Sequence, residues 1–258
     1  MTDLLLSGRR CLVTAGSRAL GAAIARELAR RGAAIVVNYH RSEAEAHALC
    51  REIETAGGKA VALQSDVSDE AQALRLLDAS WEALGGLDML INNYGPWTAT
   101  PFIALSSAEY DRIMAGNVRA AFLLSRDAGL RMRKSPAAGQ TGGGVIINIA
   151  ATDAFERGRS VYGMAKAALV HLTEALAVEL APEVRVLAVA PGLIADNEDM
   201  TDAVVQAELA HTPLKRLVTR DEIAQAICLL CGPAFASVTG ETIRMDGGAR
   251  IPRTPPTG

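Results

Sequence analysis

The chain has no excess of either charge: 26 Lys and Arg stand against 29 Asp and Glu in 258 residues, a formal net charge of −3, with the signs interspersed. A nucleic acid or an acidic membrane surface is therefore a poor partner for it. Long apolar runs are also missing at the amino terminus, where Leu4, Leu5 and Leu6 are followed at once by Ser7-Gly8-Arg9-Arg10. That is far short of a signal peptide or a membrane span, and the expected location is the cytoplasm. Cysteines are few, at Cys11, Cys50, Cys228 and Cys231. The lone CxxC of Cys228 and Cys231 has no second ligand pair and lies in an apolar helical pattern, so these two read as buried small hydrophobes, and no metal is expected. No stretch has the composition of a linker. Half of the residues are hydrophobic, enough for one large core, and a single domain is expected over 1–250, with a Pro-rich tail at 251–258.

What the chain does have is alternation. Short β-rich apolar runs at 11–14, 34–38, 60–64, 89–92, 145–149, 184–190 and 242–245 are separated by segments of helical period at 20–31, 42–56, 70–84, 107–133, 160–180 and 221–231. Several of the apolar runs lack polar alternation, as strands buried on both faces do. Gly32 and Gly57 follow helical runs as terminating glycines, and Thr219 before Arg220-Asp221-Glu222 reads as an N-cap. The pattern implies βαβ units: a single-domain α/β fold with a doubly wound parallel sheet of about seven strands and helices on both faces. The stretches 134–144 and 251–258 read as mobile surface segments. The stretch 193–217, of mixed polarity after a strand, is placed as a substrate lid would be.

Three local patterns carry chemistry. Tyr162 and Lys166 are four residues apart, hence on one helix face, where an ammonium can stabilise a phenolate that otherwise forms only near pH ~10. Thr14-Ala15-Gly16-Ser17-Arg18-Ala19-Leu20-Gly21 makes a strand-turn-helix junction of small residues, suited to close approach of a pyrophosphate to a helix amino terminus. Asn92-Asn93-Tyr94-Gly95 follows the fourth strand. With Asp66-Val67, Asn117, Pro191-Gly192 and Asp246-Gly247-Gly248 in the same order, the chain resembles the short-chain dehydrogenase/reductase family from about Gly8 to Ala249.

The resemblance implies a Rossmann fold and a nicotinamide cofactor. It assigns Gly16, Ser17, Arg18, Leu20 and Gly21 to the pyrophosphate turn, Asp66 and Val67 to the adenine, Asn93 and Gly95 to the ribose side, and Pro191, Gly192 and Ile194 to the nicotinamide. The second strand ends in Asn38-Tyr39-His40-Arg41-Ser42, without the acid that would repel a 2′-phosphate. Arg18 and Arg41, with His40 and Ser42 as donors, can converge on that phosphate, so NADP(H) is expected over NAD(H).

By the same resemblance Tyr162 exchanges the proton of a carbonyl/alcohol pair, Lys166 lowers its pKa and holds the ribose, and Asn117 joins a proton relay. The family's serine is missing: Ile147-Asn148-Ile149-Ala150-Ala151-Thr152-Asp153 has Ala151 at its position. Thr152 is the favoured substitute donor, with Asp153 as an alternative acid. Ala15 and Ala19 replace two family glycines, which a backbone of negative φ would tolerate. Tyr94 and Trp97, with Pro96, are expected to crowd the pocket mouth and favour a flat substrate. The leading expectation is an NADP(H)-dependent ketoreductase-like enzyme, a homotetramer or homodimer. Tyr39-His40-Arg41-Ser42, the acidic stretch 196–199 and Asp153 add features similar to a pteridine reductase. An NADPH-binding sensor or scaffold of weakened catalysis is the alternative outside enzymes.

Overall fold

A computed structural model describes residues 5–134, 143–156, 160–195, 197 and 200–251. Seven parallel strands form one sheet in the order β3-β2-β1-β4-β5-β6-β7. They are β1 (Arg10–Val13), β2 (Ala34–Tyr39), β3 (Lys59–Gln64), β4 (Met89–Asn92), β5 (Gly144–Ile149), β6 (Val184–Pro191) and β7 (Thr242–Met245). The order reverses between β1 and β4, so the crevice at the carboxyl ends of these two strands is the expected ligand position in such a sheet.

Period-two alternation divides the strand residues between two cores. Cys11, Val13, Ile35, Val37, Val145 and Ile147 face α1 (Ala19–Arg30), α2 (Glu43–Thr55) and α8 (Arg220–Cys231), whereas Leu12, Val36, Leu90 and Ile146 face α3 (Glu70–Leu84), α5 (Ala120–Lys134) and α6 (Val161–Leu180). α6 is long and apolar enough to cross a membrane by length and composition, but it packs on β6 and α5 as part of this second layer. Cys228 and Cys231 are buried as expected, and so are Cys11 and Cys50; all four are free, and burial raises their thiols, Cys50 to about 11 and Cys231 to about 12. Among the described residues no His, Cys, Asp and Glu cluster has the makings of a metal site.

Every expected strand and helix is present with ends within one residue, and Gly32 and Gly57 have positive φ of 96° and 85°. Thr219 caps α8 in a reciprocal box, its Oγ1 accepting from Glu222 N and its own N donating to Glu222 Oε2. Three features depart from expectation. The stretch 107–133 is α4 (Ser107–Met114) and α5 joined by a π turn, Ala115–Arg119. A 3₁₀ turn, Thr152–Phe155, follows β5. The stretch after β6 contains a helix, α7 (Asp202–His211), which has no buried residue and hence no apolar stripe to announce it. The expected mobile segments 134–144 and 251–258 lie largely outside the described residues, as do 196, 198 and 199 of the acidic stretch.

Candidate active site

The first turn is held by polar contacts from neighbouring strands. Asn38 Oδ1 accepts from Ala15 N at 3.0 Å and the Asn38 carbonyl from Gly16 N at 2.8 Å. From the other side Asn93 Nδ2 donates to the carbonyls of Thr14 and Ala15, and Thr14 Oγ1 accepts from the backbone N–H groups of Asn93 and Tyr94. Neither Asn38 nor Thr14 has a spacing in the sequence that marks this bracing role. A Cβ on Gly21 would lie 2.1 Å from the Ala15 carbonyl oxygen, so glycine is required there by close approach. Ala15 and Ala19 correct the expectation of negative φ: both adopt φ of 47°, the left-handed region in which their methyl groups are strained.

The phosphate-binding candidates meet across two turns. Ser17 Oγ and Ser42 Oγ are 2.6 Å apart, joining the turn before α1 to the turn before α2. Arg18 precedes α1 and Arg41 follows β2, both exposed, and Leu20 is half-buried in the first turn of α1. His40 Nδ1 is 3.8 Å from Asp66 Oδ2. Partial burial pushes the Asp66 carboxyl up, but hydrogen bonds from Ser68 Oγ (2.6 Å) and Ser68 N (2.9 Å), with the charges of His40 and Arg41, hold it below the ordinary carboxylate range. Val67, beside it, is buried.

The catalytic candidates also converge. A Cβ on Gly95 would lie 2.5 Å from Asn117 Oδ1 and 2.9 Å from Lys166 Nζ, so these three residues meet at one point. Asn117 sits in the π turn, fully buried, with Nδ2 donating to the carbonyls of Pro96 and Ile113 at 2.8 and 3.0 Å; its Oδ1 has no protein partner. The π geometry displaces the backbone where the side chain is needed. Lys166 is 2% exposed, donates to the Ile149 carbonyl at 2.7 Å, and has Nζ 5.4 Å from the Tyr162 ring centroid. Burial lowers its ammonium to about 7 against the opposing charge of Asp153. Burial and that same charge raise the Tyr162 phenol above its ordinary value. The expected lowering of the phenol by Lys166 is not seen, and desolvation disfavours the charged form of both residues.

At the missing serine, Ala151 and Thr152 are both buried, Thr152 at 1% exposure. Asp153 is half-buried, and its carbonyl lies 3.1 Å from where a Cβ on Gly163 would be, directly beside Tyr162. Tyr94 is not at the pocket mouth. Its ring fills the space left by the missing side chain of Gly116, with Cε1 2.9 Å from an added Cβ there, and its phenol, raised by burial, feels Asp66, Arg112, Ser68 and Arg41. It lies within reach of Asp66, at the carboxyl end of β3. Trp97 is 61% exposed and stays at the surface. Pro191 ends β6; Gly192 N donates to the Met245 carbonyl, and Ile194 pairs with Val218. A separate cleft of about 380 Å³, lined by Leu217, Val218, Met245 and Gly247 among others, does not reach Tyr162 or Lys166; side-chain chemistry locates the active site and cleft volume does not.

With this geometry in view, the comparisons are consistent. A family model described as enoyl-(acyl carrier protein) reductase matches residues 14–250. An uncharacterised oxidoreductase of Methylorubrum extorquens is 38% identical over 253 residues, covering 95% of this chain and 99% of the relative. A 7α-hydroxysteroid dehydrogenase solved with NADH and 7-oxo glycochenodeoxycholic acid superposes with a TM-score of 0.88 at 32% identity, covering 96% of each chain. A short-chain dehydrogenase from Burkholderia cenocepacia in complex with NADP gives 0.88 at 33% identity, covering 96% of this chain and 100% of that one. The chain belongs to the short-chain dehydrogenase/reductase family, and it is an oxidoreductase of that class.

Proposed function

We propose that this protein is an NADP(H)-dependent carbonyl reductase or alcohol dehydrogenase acting on a small organic substrate. The convergence of Lys166 Nζ, Asn117 Oδ1 and Gly95 beside Tyr162 is the observation that carries this reading. The crevice suits a nicotinamide nucleotide: the Gly16–Gly21 turn leads into the amino terminus of α1, a position that favours a pyrophosphate, and the exposed Arg18 and Arg41 flank the linked hydroxyls of Ser17 and Ser42. Such a cofactor, when bound, supplies or accepts the hydride.

The protein's part is to handle the proton. Tyr162, kept as a neutral phenol by burial, is suited to donate to a carbonyl oxygen; Lys166 and Asn117 stand behind it as the route for proton replacement. Asp153 takes over from the missing serine as a substrate-binding or relay acid, a better candidate than the sealed Thr152. Its presence beside Tyr162 also favours testing dihydropterins. The free thiols fit the reducing cytoplasm. The exposed Tyr110, Phe122 and Leu130 on α4 and α5 suit burial in a homodimer or homotetramer.

The deciding experiment follows NADPH oxidation at 340 nm with ketones, β-ketoesters, a keto-steroid and a dihydropterin, alongside Tyr162→Phe. Turnover is expected to fall by ~10³-fold or more in Tyr162→Phe while NADPH binding persists. NADPH is expected to outperform NADH, and Arg41→Ala to narrow that gap. A fully active Tyr162→Phe overturns the proton assignment, and equal efficiency with both nucleotides overturns the cofactor assignment.

A further inference from the structure

α7 presents a problem of attachment. It flanks the region after β6 where a substrate lid belongs, yet none of its residues is fully buried and only Val205 and Leu209 of its apolar side chains are half-buried, so apolar packing holds it weakly. Its carboxyl end is tied down, with Thr212 buried and Leu214 N donating to the Gly247 carbonyl at 3.2 Å. The body of the helix has a different tether. Arg250 Nη1 and Nη2 donate to Oε1 and Oε2 of Glu208 at 2.8 and 3.3 Å, a two-pronged pairing of guanidinium and carboxylate.

The same guanidinium faces the opposite wall, where its Nε pairs with Glu156. Glu156 closes the 3₁₀ turn, its backbone N–H donating to the Asp153 carbonyl at 3.1 Å, and Asp153 lies against Gly163 beside Tyr162. Arg250 is itself fixed by donating its backbone N–H to Asp246 Oδ2 at 3.1 Å, and Asp246 packs on Gly192. The side chains of Arg250, Glu156 and Glu208 are 22%, 12% and 17% exposed, so solvent screens them less than an ordinary surface pair.

We infer that Arg250 is a positioning residue that joins the lid helix α7 to the turn carrying Asp153, so that one side chain sets both the closure of the substrate site and the placement of its acid. The kinetic consequences rest on the reductase reading above; the structural ones do not.

The two arms are separable. Glu208→Gln cuts the lid arm, Glu156→Gln the turn arm, and Arg250→Met both. Amide hydrogen exchange is expected to accelerate ~10-fold at 202–211 alone in Glu208→Gln, at 152–156 alone in Glu156→Gln, and in both segments in Arg250→Met, with Arg250→Lys partly restoring protection. With a turned-over substrate, Glu208→Gln is expected to raise KM ~10-fold with little change in kcat, and Glu156→Gln to lower kcat with little change in KM. NADPH affinity, set at the Arg18 and Arg41 end, stays unchanged in all four variants. Unaltered exchange at 202–211 in Glu208→Gln and Arg250→Met overturns the inference, as does uniform acceleration through the β-strands. If no compound is reduced, the exchange pattern still decides the role of Arg250, and only the reductase reading fails.

Discussion

At the scale of single residues, the turn before α1 and the first residue of that helix carry strain that the sequence did not reveal. Ala15 and Ala19 both adopt φ of 47°, where an L-residue is disfavoured by roughly 1–2 kcal/mol and glycine is not. Glycine loses about 0.5–1 kcal/mol of that advantage through the greater freedom of its unfolded chain. Ala15→Gly and Ala19→Gly are therefore each expected to stabilise the protein by about 0.5–1 kcal/mol, raising Tm by ~1–4 °C in thermal unfolding. An unchanged or lower Tm would show that the methyl groups are accommodated without strain. The other residue-level question is the missing serine. Asp153→Asn is expected to lower kcat/KM by ~10- to 10²-fold, and Thr152→Ala, at a sealed position, by less than ~3-fold. Ala151→Ser, which restores a hydroxyl donor, is expected to raise kcat for a ketone. Steady-state kinetics that reversed the order of Asp153 and Thr152 would return the role to the threonine.

At the scale of elements, legibility followed burial. The strands were readable because sheet residues such as Val36, Leu90 and Ile147 are buried on both faces and leave unbroken apolar runs. The helices were readable from caps and stripes, with Thr219 and Glu222 as the clearest case. α7 was illegible for the same reason in reverse: a helix held by Glu208 and Arg250 instead of a buried face has no hydrophobic period to read. The π turn was hidden because a single glycine, Gly116, within Ala115-Gly116-Asn117-Val118-Arg119 does not distinguish it from continuous helix, and Asn117 Nδ2 there reaches the Pro96 carbonyl, a partner distant in sequence. At the site, spacing paired Tyr162 with Lys166 and the family resemblance added Asn117 and Gly95, and the structure brings Gly95, Asn117 and Lys166 to one point. Motif spacing could not give the direction of Tyr94, which Gly116 determines from another part of the chain, nor the φ of Ala15 and Ala19.

At the scale of the whole molecule, the active site is a cost to the fold, and Lys166 concentrates that cost. Its pKa of about 7 in the folded protein lies well below the ordinary lysine value of 10.5. Between these two values the unfolded chain binds a proton that the folded protein does not, so stability from this group rises with pH across the window of about 7 to 10.5. Below about 7 the ammonium is charged in both states and its desolvation penalty is fully felt; above 10.5 it is absent. Lys166→Met removes the titration while keeping much of the stem. It also loses the hydrogen bond to the Ile149 carbonyl, but that loss does not vary with pH and cancels when two pH values are compared. The difference in Tm between Lys166→Met and the native protein is accordingly expected to be more favourable to the variant at pH 6.5 than at pH 9.5, by about 2–4 °C for each kcal/mol of penalty relieved. The gain should come with loss of turnover, since the ammonium that strains the fold is the group placed behind Tyr162. A difference in Tm that is the same at both pH values would mean that Lys166 is charged in the folded protein throughout, and that Asp153 compensates its burial.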